Sequence, residues 1–512
     1  MVILEILIFL IVLGAIILIH EFGHFYFARK AGILCHEFSM GMGPAIYQKR
    51  KGEIVYSVRA IPLGGYVSMA GEEMGDMIKK GQTIGLRVNE HNAVTDIILH
   101  DSLEYDIIGK VIDFDLYGEN FKELFISIEG NSGETIIYKV LRDAKYRFKK
   151  NQEIWVTPAE KSYESKTIWQ RFLVVFAGPA TNFILAFLIL FVVAFFIGKP
   201  SNKNVVGAVS EKYQDVLKKG DVISKVNGVS VDSWQAIGKE IYKVHDDQVI
   251  FTINNEDKVI DLEVIIQGIG IRNQKGVHEL IVGEQFGRTK DLKENDKIIG
   301  ILMSDDELES VNYESVSTWM ELLTYAANNN TKQYVYLNVI RNGEETKISR
   351  YENIPEKTLI ELDSDYIIYS AGISQSRSFN ILYPLYYPFQ KMGSDIMSML
   401  NTIGLLIGPK TGVGVGDLAG PIGIFSLVSS ALKSGVANFF IFVAFLSVNI
   451  GFLNLLPIPA LDGGRLVFLG YEAITKKKVN KKVENTVINI TFILLLILIV
   501  FVSYNDILRL FS

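Results

Sequence analysis

The sequence predicts a polytopic α-helical membrane protein with four transmembrane helices and β-containing domains between them. Three observations carry this. Across 512 residues the chain is 49% hydrophobic, with a mean hydropathy of +0.24, which is too apolar for an ordinary soluble protein. The apolar residues gather into four runs, 2–19, 172–197, 437–456 and 487–502, each close to the roughly 20 residues that cross a hydrocarbon core as helix. Lysine and arginine cluster at defined ends of these runs, as orientation in a bilayer requires.

The first run is read as a retained span. Glu5 stands where a signal peptide would carry basic residues, and no small-residue cleavage site precedes His20 and Glu21. Arg29, Lys30, Lys49, Arg50 and Lys51 follow this span, and Lys166 and Arg171 precede the second. Lys476, Lys477, Lys478, Lys481 and Lys482 separate the third from the fourth, so both connections are predicted to be cytosolic. The stretch from about residue 199 to residue 435 is then extracytoplasmic, with both termini outside. A net charge of −6 offers no basic surface, which excludes nucleic acid as an expected partner; membrane lipid is the expected surrounding. The one cysteine, Cys35, permits neither an internal disulfide nor a cysteine-based zinc cluster.

Between the first two spans, 31–70 is predicted to form a membrane-associated β-hairpin, with Gly64, Gly65 and Tyr66 at its glycine-rich corner, the alternative being a small soluble β-subdomain. Residues 71–165 read as a cytosolic β-rich insertion. In the extracytoplasmic stretch, Leu217-Lys218-Lys219-Gly220-Asp221-Val222-Ile223 recurs as Leu292-Lys293-Glu294-Asn295-Asp296-Lys297-Ile298, and Ser233-Trp234 recurs as Thr318-Trp319. This pattern resembles a PDZ domain, so 199–270 and 271–375 are predicted to be two PDZ-like α+β domains. A linker with an amphipathic segment (376–436) leads to the third transmembrane region (437–475) and then the fourth with its tail (483–512).

The chemistry is predicted from His20-Glu21-Phe22-Gly23-His24. On a helix the two imidazoles, four residues apart, project from one face and can share a metal, with the Glu21 carboxylate beside them. Ionisable groups in an apolar helix are costly unless paired or metal-bound. Catalytic zinc takes three protein ligands and keeps a position for water, so another ligand must come from elsewhere. Asp462 is the candidate, because Pro457, Pro459, Gly463 and Gly464 break the third hydrophobic segment around it, and broken backbone at membrane depth lines protein or watery cavities. The first and third spans run in the same direction, so all three ligands reach one depth. The expected reaction is metal-assisted hydrolysis with Glu21 as general base. Asn454 is expected either to bind substrate or to tie down the broken helix, and His36 is read as a loop residue. A non-enzymatic scaffold with a structural metal has no use for a free carboxylate beside the metal, and Glu21 argues against it.

The motifs 20–24, 178–183 (Gly-Pro-Ala-Thr-Asn-Phe) and 454–465, in this order, resemble the site-2 protease family; 41–44, 61–66 and 420–423 resemble its bacterial, PDZ-containing branch. The resemblance implies regulated intramembrane proteolysis in a bacterial plasma membrane. It implies Zn2+ on His20, His24 and Asp462, Glu21 as base, and Asn454, Gly64, Gly65 and Tyr66 in substrate binding. It also implies pre-trimmed single-span substrates such as anti-sigma factors and remnant signal peptides. The PDZ-like domains would then filter substrates by size.

Overall fold

The computed structural model describes residues 2–71, 77–100, 103–130, 134–149, 152–274, 276–283, 291–408 and 414–510. Parts of the 71–165 insertion therefore lie outside the described residues. Four helices are long and apolar enough to cross a membrane. The chain divides into two compact bodies, the first of which contains the His20 motif and Asp462.

In the first body, helix α1 spans Val2–Lys30. It continues well past the apolar run, so the His20–His24 turn lies within the helix and not at its end. What sustains the extra turns is packing: Phe25 lies against Phe38 and Tyr56 at ring-centroid distances of 5.0 and 6.2 Å, and Ala28 is fully buried. Those partners belong to strands β1 (Cys35–Lys51) and β2 (Ile54–Met69), and β1 contains His36, which is buried strand and not loop.

The two strands form more than a simple hairpin. Segment 35–42 has two neighbours, pairing Glu37 with both Ser68 and Val55, and Met40 with both Gly65 and Val58. The turn-proximal part pairs Arg50 with Val55, so the segments lie in the order 47–51, 54–59, 35–42, 61–69. Segment 61–69 is thus an edge.

The insertion comprises β3 (Thr83–Val88), β4 (Val94–Ile98), β5 (Ile107–Asp115), β6 (Leu124–Glu129), β7 (Thr135–Lys149) and β8 (Gln152–Trp155), in the order β4-β3-β5-β6-β7-β8. Strand β4 also pairs with β7, which closes five strands into a ring around Ile84, Leu86, Ile97, Ile126 and Ile128. Closure covers the outer edge of β4, a hazard that an open sheet would expose.

Helix α2 (Ile168–Ile197) forms the second span and Val436–Leu455 the third. The third ends at the prolines, and a separate helix, Asp462–Thr475, begins at the predicted ligand. The last span is Lys481–Leu510.

In the second body the two repeats fold alike. Strands Ile223–Val226, Gln248–Ile253 and Glu256–Asp261 with helix Trp234–Tyr242 match Lys297–Ser304, Tyr334–Arg341 and Glu344–Glu352 with helix Trp319–Asn328. The repeated aspartate has one job in both: Asp221 accepts from Lys218 N and Asp296 from Lys293 N, each at 2.8 Å. Ser233 and Thr318 cap the two helices. The acidic stretch after Lys297–Ser304 is satisfied by ion pairs from Lys332 to Asp305 and from Arg350 to Glu307. Where a linker with an amphipathic segment was expected, the chain forms two helices, Tyr383–Ile407 and Pro421–Lys433.

Candidate metal centre

His20 and His24 face the same side of α1, with their Nε2 atoms 3.2 Å apart. Asp462 Oδ2 lies 3.2 Å from His20 Nε2 and 3.3 Å from His24 Nε2. Among the described residues this is the one cluster of three side chains able to hold a metal. The triangle has the right size for zinc. Donors at about 2.0–2.1 Å in a tetrahedral shell stand about 3.3–3.4 Å from one another.

Two further observations fit a cation to this triangle. Asp462 Oδ2 is buried without a hydrogen-bond donor, and such an oxygen is costly unless a positive charge meets it. Next to the triangle, α2 presents Gly178, where an added Cβ would sit 2.2 Å from His24 Nε2 and 2.9 Å from His20 Nε2. Only glycine leaves the space open.

The imidazoles are oriented from behind. His24 Nδ1 is 2.8 Å from the Val174 carbonyl, so it donates its proton there and leaves the Nε2 lone pair facing the triangle. His20 Nδ1 faces the Asn182 amide, whose nitrogen is 3.3 Å away while its oxygen has no partner. Because amide N and O are indistinguishable in shape, a half-turn satisfies both groups: Oδ1 then accepts from Nδ1–H, and His20 Nε2 is bare. Ser447 Oγ donates to the main-chain carbonyl of Asn182 at 2.8 Å, fixing the third span to this point of α2.

Asp462 reaches the histidines because the chain turns back tightly before it. A Cβ on Gly463 would lie 2.0 Å from the Leu456 carbonyl oxygen, and one on Gly464 would lie 2.4 Å from that of Ile458. Pro457 and Pro459 donate no N–H within this break, so they leave no unpaired donor behind. Towards the far end of the same helix, Glu472 takes two hydrogen bonds from Arg171 at 2.6 and 2.9 Å, which holds Asp462–Thr475 against α2.

A cavity of about 650 Å³ opens over the triangle, and Glu21, Gly65, Tyr66 and Asn454 line it with His20, His24 and Asp462. Asn454 also donates to the Ile450 carbonyl at 3.0 Å, so it ties down the helix end while facing the cavity. The edge segment of β2 lies directly on Glu21: a Cβ at Gly65 would be 3.1 Å from Glu21 Cγ. Gly64 is not part of the cavity wall; its φ of 110° bends the strand there.

Tyr66 is anchored by a group not singled out in the sequence. Its hydroxyl donates to Glu37 Oε2 at 2.7 Å, while Arg59 and Ser57 donate to Oε1. Burial by itself would raise the Glu37 carboxyl, but these hydrogen bonds outweigh it and hold it below its ordinary value. Asn182 and Gly178 were visible only as members of a motif. The signal for Asn182 is present in the sequence, since an amide in the apolar middle of a 30-residue helix demands a partner.

The sequence profile of Peptidase family M50 matches residues 8–498. Similar relatives include the zinc metalloprotease RasP of Shouchella clausii (strain KSM-K16), 29% identical over 98% of this chain and 99% of its own. The regulator of sigma-W protease RasP of Bacillus subtilis (strain 168) is 28% identical over 98% of both chains.

Proposed function

The chain belongs to peptidase family M50 and is a zinc metalloprotease of the membrane, and from this premise we propose that it cleaves transmembrane segments at the centre built by His20, His24 and Asp462. The observation that carries the proposal is the 3.2–3.3 Å triangle lying under the free edge of β2. Zinc held there supplies Lewis acidity, polarising the scissile carbonyl and making water nucleophilic near neutral pH. Glu21 takes the proton from that water and delivers it to the leaving amine. Gly65 and Tyr66, on the edge segment, pair with the substrate main chain and hold it extended, since a helical peptide bond is shielded by its own hydrogen bonds. Asn454 contributes an amide at the same cavity.

The substrates are single-span membrane proteins shortened on their extracytoplasmic side, among them anti-sigma factors and remnant signal peptides. The metal centre faces the cytosolic side of a bacterial plasma membrane, and the paired PDZ-like domains outside admit only shortened chains. Purified protein in liposomes tests this with a tagged single-span substrate. Cleavage by the wild type, its loss in Glu21→Gln and in chelated protein, and its return with zinc are expected. Equal cleavage by Glu21→Gln would overturn the mechanism.

A further inference from the structure

Arg465 lines the cavity over the metal triangle, three residues after Asp462 on the helix Asp462–Thr475. Three residues make most of a helical turn and advance about 4.5 Å along the axis, so the arginine leaves the helix on the face of the ligand, one turn further on. Among the described residues it is the only lysine or arginine that lines this cavity. It lies close enough to Glu21 for its charge to act there.

The same side chain lines a second cavity, of about 510 Å³, together with Glu472, Glu484 and Asn485. Arg465 thus stands in the partition between the two cavities. On the second side its charge acts on Glu484 of the last span. A guanidinium carries five N–H donors in a rigid fork, so it can meet a carboxylate on one side and still present donors on the other. Its helix is fixed further along by the pair of Arg171 and Glu472.

Hydrolysis places a specific demand on the metal cavity. Attack by water forms a C–O bond at the scissile carbonyl carbon and pushes the C=O electron pair onto the oxygen, while the proton of the water goes to Glu21. The oxygen is then an anion and Glu21 is neutral. When the C–N bond breaks, the pair returns, the proton passes to the amine, and the oxygen ends in the carboxylate of the product. Donors already in place where this charge develops lower the barrier, because they need not reorganise. Of the polar groups lining the cavity, the Tyr66 hydroxyl is committed to Glu37, and Asn454 is an uncharged amide tied to the Ile450 carbonyl. Arg465 is charged at every working pH and is mounted on a fixed helix.

We propose that Arg465 is a catalytic residue: its guanidinium donates to the oxygen of the scissile carbonyl and holds it most strongly when that oxygen is anionic. The inference rests on the protease reading and deepens it, dividing the work between Glu21, which moves the proton, and Arg465, which stabilises the charge left behind.

Full-length Arg465→Met, which keeps an apolar stem and loses the charge and all five donors, tests it in liposomes with a tagged single-span substrate. Removing one donor to such an oxyanion costs about a hundredfold or more in kcat, and that loss is expected here, with KM and zinc content close to those of the wild type. Arg465→Lys, which keeps the charge without the fork, is expected to recover part of it. The second readout is a substrate analogue in which an anionic, tetrahedral phosphinate replaces the scissile amide, the bond being mapped by mass spectrometry of the products. Its affinity is expected to fall in Arg465→Met by a factor that follows the fall in kcat/KM. Glu484→Gln, which removes the carboxylate on the other side of the partition, is expected to keep kcat close to that of the wild type. Unchanged kcat in Arg465→Met, a rise in KM alone, lost zinc, or a lowered kcat with unchanged phosphinate affinity overturns the role. An equal loss of kcat in Glu484→Gln also overturns it, since Arg465 would then act by fastening its helix to the last span. A wild type that cleaves no single-span substrate overturns the protease reading beneath.

Discussion

The Asn182 amide meets His20 Nδ1 at 3.3 Å inside the helix bundle, with Asn182 wholly buried. The amide has no water to turn to, so its one productive use is to fix the imidazole. Removing such a partner of a metal-bound histidine typically costs ten- to a hundredfold in metal affinity. Asn182→Ala is therefore expected to weaken zinc by about that factor while the protein remains folded. Competition with a chromophoric chelator measures it, and unchanged affinity would contradict the assignment.

Gly178 is a steric requirement of a different kind. Its Cα leaves the space that a methyl would take 2.2 Å from His24 Nε2. Gly178→Ala is expected to purify without stoichiometric zinc and to retain its helical circular dichroism, because alanine favours the helix that glycine weakens. Full zinc content in the variant would show that the imidazoles can step aside.

How far the sequence reached depends on the range of each signal. The spans, the His20–His24 turn and the Asp462 break are legible because each depends on local periodicity or on prolines and glycines. The equal depth of His20 and Asp462 followed from lysine and arginine counts. What escaped was set by strand register: the double pairing of 35–42, which makes 61–69 an edge, requires knowing that Glu37 faces both Ser68 and Val55. His36 looked like a loop residue for the same reason, since strands that return to pair over 30 residues leave little local pattern. The ring closure of β4 on β7 is equally non-local.

Arg171 and Glu472 form a bidentate pair with side chains only 9% and 15% exposed. A single Arg171→Ala change would strand a buried carboxylate, which costs about 3 kcal/mol or more. Replacing both by methionine is expected to recover most of that loss, since paired apolar side chains leave no unpaired charge. Denaturation in mixed micelles, run as a double-mutant cycle, measures the coupling, and additive losses would mean that the pair is solvated.

Glu37 makes the seating of the β2 edge dependent on pH. Its carboxyl lies below its ordinary value when folded, so the unfolded state binds the proton more readily. The stability that it contributes is complete above the unfolded carboxyl value of about 4.3 and is lost as pH falls through the lower folded value. Hydrogen exchange at the amides of 65–69 is the readout. Between pH 7 and pH 5 those amides are expected to keep their protection once the intrinsic rate is corrected for, and to lose it below about pH 4. Glu37→Gln removes the charge that Arg59 and Tyr66 hold, so it is expected to show the acid behaviour already at pH 7. If its exchange at pH 7 equals that of the wild type, Tyr66 is held over the metal cavity by the sheet alone.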